Sequence, residues 1–123
     1  MKEKSHKAVS YVCMIPVIAE IGREHGYAIG VHGSINRDLD LIAVPWIEEA
    51  DEPEVLIEAI RKYFSAIIIE DGTPAGRYDP ETESFVPAII ETPSVRPHGR
   101  LAWNIHLEAG CFIDISVFPK RAT

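Results

Sequence analysis

With 123 residues, 46 % of them apolar and 25 % charged, the chain has enough material for one hydrophobic core and no need of disulfides to hold it. Its net charge of −7, from 19 acids against 12 bases, argues against a domain built to grip a polynucleotide backbone, a task that needs a concentrated basic face. No apolar run reaches the about 18–20 residues that cross a bilayer, and the charged start is followed by Pro16, Glu20, Arg23 and Glu24 rather than a plain apolar signal core. A cytoplasmic protein forming a single domain over 1–123, with no membrane partner, is expected.

In chain order, Ser5 is placed to cap a helix running to His25, with Gly26 as its stop. Val9, Val12, Cys13, Pro16, Val17, Ala19 and Ile21 follow helical spacing, and Pro16 must kink that helix or begin a second one. YAIGVHG (27–33) and DLDLIAVPW (38–46) read as strands, the second closed by Pro45. A helix of about three turns follows, capped by Asp51, with Pro53 in its first turn. Val55, Leu56, Ala59, Ile60 and Phe64 lie on one of its faces, and Arg61 and Lys62 come late, matching its dipole. AIIIE (66–70) reads as a short buried strand.

The region 71–99 holds five of the nine prolines and three of the eight glycines. It is expected to be mostly loop, with a short strand near FVPAII. LAWNIHLEAGCFIDISVF reads as a hairpin with its turn near Ala109 and Gly110. Cys13 and Cys111 match no metal-ligand spacing. They are expected to be small buried hydrophobes in a reducing compartment, with a pairing between them as the alternative.

The stretch HGSINRDLDLIAVPW (32–46) carries the chemistry. Strand alternation turns Asp38 and Asp40 to one side, with Cα atoms about 6.6 Å apart, and sends Leu39, Leu41 and Ala43 to the core. Two such carboxylates repel unless protonated or bridged by a cation, and a hard divalent ion such as Mg²⁺ resolves the conflict. In CFIDISVF, Asp114 shares a face with Phe112, Ser116 and Phe118, opposite Ile113, Ile115 and Val117. If that strand lies beside the Asp38 strand, three carboxylates could surround metals about 3.5–4 Å apart, the two-metal arrangement of phosphoryl transfer. Gly33 would let backbone amides approach a phosphate, the Ser34 hydroxyl could donate to it, and Arg37 could neutralise it.

VHGSINRDLDLIAV resembles the signature of the nucleotidyltransferase superfamily, the fold shared with DNA polymerase beta: a hydrophobic residue, Gly, Gly or Ser, then Asp-x-Asp or Asp-x-Glu in a strand, with a third acid in a later strand. The order of elements is also similar to that of small phage and bacterial members. The resemblance implies an α/β (α+β) fold with a mixed twisted sheet and helices packed mainly on one face. It implies Gly33 and Ser34 on the nucleotide phosphates, and Asp38, Asp40 and Asp114 as metal-binding catalytic carboxylates for Mg²⁺ or Mn²⁺. The substrate would be a nucleoside triphosphate, with an unidentified acceptor. One departure stands out: only Ile35, Asn36 and Arg37 separate the Gly-Ser pair from Asp38, where the family commonly has a longer link.

Other residues carry weaker expectations. Within RPHGR (96–100), the cluster of Arg96, His98 and Arg100 is a local anion site or a plain loop, with His98 and Arg100 as substrate contacts under the first reading. His32 is a hydrogen-bonded strand histidine or a phosphate helper. His106 faces Asp114 across the hairpin, and Trp46 and Trp103 serve packing. The rival functional reading is a catalytically silent module of the same fold that binds a nucleotide, a protein partner or a second copy of itself. An RNA-end-modifying module is less favoured, for want of a basic face.

Overall fold

The computed structural model describes residues 7–33, 35, 37–66, 76–79, 81, 84–87, 89–90, 93–107 and 111–120. Ser5 and most of the expected strand at 66–70 lie outside them. The first helix, α1 (Lys7–Glu24), runs through Pro16 without ending. Its buried stripe is Tyr11 and Ile18, flanked by Met14, Ile15 and Ile21. Val9 and Val12 point to solvent instead. The expected face was therefore rotated, because the amphipathic Tyr11 marks the core and the valines do not. Gly26 follows with φ +86°, and a Cβ there would stand 2.7 Å from the Ala50 Cα.

β1 (Tyr27–Val31) pairs antiparallel with β2 (Leu39–Pro45). α2 (Pro53–Ala66) buries Leu56, Ile57, Ile60 and Phe64, while Val55 is exposed. Asp51 stands two residues ahead of α2. Its carboxylate meets His25 Nδ1 at 2.6 Å, and the Val55 amide donates to the Glu52 carbonyl at 2.9 Å. The helix is nearly four turns long, so Arg61 falls inside it and pairs with Glu58 rather than reaching the C-terminal dipole.

The proline-rich region contains more strand than its composition suggests. β3 (Gly76–Asp79) and β4 (Ser84–Pro87) form a two-stranded ribbon, and β5 (Ile89–Ile90) and β6 (Ser94–Val95) both pair with β7 (Leu101–His106). Proline is excluded from central strands and tolerated on edges, and these four strands are short and peripheral. β8 (Phe112–Val117) lies between β2 and β7, parallel to the first and antiparallel to the second, giving the order β1-β2-β8-β7-β5 with β6 also on β7.

Alternation sorts the central strands into two faces. Leu39, Leu41 and Ala43 of β2, Ile113, Ile115 and Val117 of β8, and Trp103 and Ile105 of β7 form one core with the buried residues of both helices. The class is therefore mixed α and β, with a mixed sheet whose two described helices cover the same face. Trp103 packs as expected, but Trp46 is 63 % exposed. It stands one residue beyond Pro45, where the strand has left the core. Cys13 is exposed and Cys111 half-buried, both free, so neither is the buried apolar residue expected of it. Cys13 sits on the same outward side of α1 as Val9 and Val12. Among the described residues no helix is long and apolar enough to cross a membrane.

Candidate functional site

The site is built by strand register. With Leu39, Leu41, Ile113 and Ile115 committed to the core, Asp40 and Asp114 must both point to the sheet face opposite the helices. The parallel pairing makes them direct partners, Asp40 against Asp114, on strands about 4.8 Å apart. The row extends in both directions. Asn104 of β7 is the antiparallel partner of Asp114. On the other side, the His32 amide donates to the Asp40 carbonyl at 2.7 Å, continuing the β1–β2 ladder by one residue. His32, Asp40, Asp114 and Asn104 thus form one polar row across four strands.

Asp38 stands one residue before β2, half-buried, and its charge acts on both members of the pair. Burial raises the Asp40 carboxyl above its ordinary value. Asp114 and Asp38 add to the rise, while His32 and Arg96 oppose it. Asp114 is raised as well, first by burial and then by Asp38, with Arg96 acting against the shift. Repulsion among the acids and loss of water thus outweigh the nearby positive charge.

Gly33 has φ +118°, and a Cβ there would lie 2.7 Å from Asp40 Oδ2. Its lack of a side chain leaves room for the Asp40 carboxylate, a requirement added to the expected close approach of a phosphate. Ser34 lies outside the described residues. The Arg37 side chain is exposed, while its carbonyl accepts the Tyr11 hydroxyl at 2.8 Å.

The RPHGR loop divides its residues. Arg100 lies over the Phe118 ring at 5.6 Å from its centre and donates through Nε to the Pro97 carbonyl at 3.1 Å. His98, exposed, sits in a short 3₁₀ turn (Pro97–Gly99) with left-handed backbone, φ 66°. Arg96, whose amide donates to the Arg100 carbonyl at 2.8 Å, is the member of this loop whose charge reaches both Asp40 and Asp114. In the strand register His106 stands opposite Phe112 and not opposite Asp114. It pairs with Phe112, their rings 5.8 Å apart, because Leu107 and Cys111 close the hairpin around a three-residue connection and set Asn104 opposite Asp114. Asn104 and Arg96 were the residues sequence reading missed as members of the carboxylate site. The hairpin centre would have located Asn104, whereas no local pattern marks Arg96.

A hard divalent cation fits this donor set in a particular way. Among the described residues no three His, Cys, Asp or Glu side chains converge closely enough to cage an ion. Two adjacent carboxylates that share a face and resist ionisation still suit Mg²⁺ or Mn²⁺, because Mg²⁺ commonly takes one or two carboxylates and fills its sphere with water and phosphate. The Asp40–Asp114 pair meets that need, with Asp38 beside it. Comparison with protein-family profiles, with curated proteins and with solved structures finds no match to this chain, so its own residues carry the functional reading.

Proposed function

We propose that the chain is a small domain of the nucleotidyltransferase fold that binds a nucleoside triphosphate with Mg²⁺ or Mn²⁺ and transfers a nucleoside monophosphate to an acceptor. The observation that carries this reading is the parallel register that sets Asp40 beside Asp114, with Asp38 close by. Asp40 and Asp114 would hold the cation, with Asp38 beside them adding its charge. When bound, it supplies charge neutralisation on the triphosphate and makes the acceptor hydroxyl easier to deprotonate. The acceptor oxygen bonds to the α-phosphorus, the bond to the bridging oxygen breaks, and pyrophosphate leaves.

The chain's own groups account for the rest. Asp114 would either hold the cation with Asp40 or take the proton released by the acceptor. Gly33 and Ser34 position the phosphates, while Arg37 and Arg96 balance their charge, with His98 and Arg100 on the loop beyond. The test is thermal unfolding with Mg²⁺ and each nucleoside triphosphate, in wild type and in Asp40→Ala. A ligand at 100 times its Kd stabilises by about 2.7 kcal/mol, a rise of about 5–15 °C at this size. That rise is expected in wild type and not in the variant. Its absence in wild type removes the reading.

A second reading, a catalytically silent nucleotide-binding or protein-interaction module, is favoured by two observations. The carboxylates do not converge as a cage among the described residues, and only three residues link Ser34 to Asp38. A metal-dependent thermal shift without label transfer from an α-³²P triphosphate to any acceptor selects it.

A further inference from the structure

Tyr11 belongs to α1, far in sequence from every carboxylate of the site, and is 0 % exposed. Its hydroxyl donates to the Arg37 carbonyl at 2.8 Å and accepts from the Phe112 amide at 3.2 Å. Arg37 immediately precedes Asp38, and Phe112 stands two residues before Asp114. The β2–β8 ladder begins at Leu39 and Ile113, so the two segments just ahead of it are joined through this phenol rather than to each other. A tyrosine hydroxyl suits the task, since it carries one donor and free acceptor lone pairs and can serve a carbonyl and an amide at once. Burial pushes its pKa up to about 12, against the opposing pull of the Phe112 amide and with Cys111 and Asp38 adding to the rise, so it remains a donor at neutral pH.

We propose that Tyr11 is a positioning residue for the metal-binding carboxylates: its buried hydroxyl fixes where Asp38 stands relative to the Asp40–Asp114 pair. This rests on the metal-dependent reading above. Phenylalanine at this position keeps the ring in the core with Ile18 and leaves the Arg37 carbonyl and the Phe112 amide without their shared partner. The segment carrying Asp38 then loses its tie to β8, while the ladder from Leu39 onward retains its pairing.

The experiment measures Mn²⁺ affinity of the full chain by electron paramagnetic resonance of the free ion. It compares wild type, Tyr11→Phe, Asp38→Asn, the double variant, and Ile18→Val as a core control in the same helix, with folding checked by circular dichroism. Removing a group that orients a metal ligand typically weakens binding by about 10–100-fold, and Tyr11→Phe is expected to do so while Ile18→Val leaves affinity unchanged. In the Asp38→Asn background Tyr11→Phe costs nothing further, because the residue it positions is gone. Wild-type affinity in Tyr11→Phe, or its full loss repeated in the Asp38→Asn background, overturns the proposal. Should Tyr11→Phe not fold, Asp38→Asn decides alone: unaltered affinity there leaves Tyr11 nothing to position. A wild-type chain that does not bind Mn²⁺ removes the metal-dependent reading and this proposal together, whereas normal binding in both wild type and Tyr11→Phe removes this one only.

Discussion

Asp40 and Asp114 repel each other across a strand pair and are partly withdrawn from water, and each resists ionisation for both reasons or for burial foremost. Their native values lie above the unfolded ones, so the native state holds protons more tightly, and stability falls as pH rises through the raised values. Asp114→Asn is therefore expected to raise metal-free stability at neutral pH by about 0.2–1 kcal/mol, the scale of a directly opposed strand pair. The gain should shrink towards zero as pH falls below the ordinary carboxylate range. Urea unfolding of variant and wild type at about pH 3 and pH 7 measures both. Gly33→Ala should act in the opposite sense, losing about 1–3 kcal/mol, because a Cβ at positive φ would also press on Asp40 Oδ2. Chemical denaturation checks that loss. The faces of Asp40 and Asp114 were legible because each strand alternates acid with large aliphatics. The part played by Asn104 depended on the exact centre of the β7–β8 hairpin, and that of Arg96 on a loop that no strand period places beside the carboxylates.

At the scale of elements, the end of α1 is latched to the approach of α2. The Asp51 amide donates to the His25 carbonyl at 3.0 Å, the Trp46 amide to the Gly26 carbonyl at 3.1 Å, and the Tyr27 hydroxyl to the Asp51 carbonyl at 2.7 Å. Gly26 lies at the centre of this junction, so Gly26→Ala forces a side chain onto the Ala50 backbone in left-handed conformation. A loss of about 1–3 kcal/mol is expected, read as a fall in the thermal midpoint. Both helices and the β2, β7 and β8 strands could be read from periodicity, and β1 from its β-branched content and short length. The helix faces were less legible, since valine and tyrosine reverse their usual places: Val9, Val12 and Val55 face water while Tyr11 and Tyr27 are buried. In the proline-rich region the strand expected near FVPAII is present as β4 and β5, whereas β3 and β6 were hidden, since strands of four and two residues carry too little period to read.

For the whole molecule, the net charge of −7 and the acidic site set a boundary on partners. Neutralising successive backbone phosphates requires a row of cations, whereas the proposed function would need only one divalent ion and Arg96 for a single triphosphate. Single- and double-stranded oligonucleotides are accordingly expected to give no fluorescence-anisotropy change with the chain at 150 mM salt. Saturable binding whose affinity falls steeply with salt would return the RNA-directed reading to the front. Sequence alone established the acidic balance.

The central place of β8 has a kinetic consequence. The latch between His25 and Asp51, and the β1–β2 hairpin, close short stretches of chain. Asp40 and Asp114 are 74 positions apart and meet only when β8 enters between β2 and β7. Closing a longer stretch of chain costs more entropy, so this pairing belongs to the late events of folding. The candidate site has no precursor in the hairpin or the helices. It comes into being only when β8 joins β2.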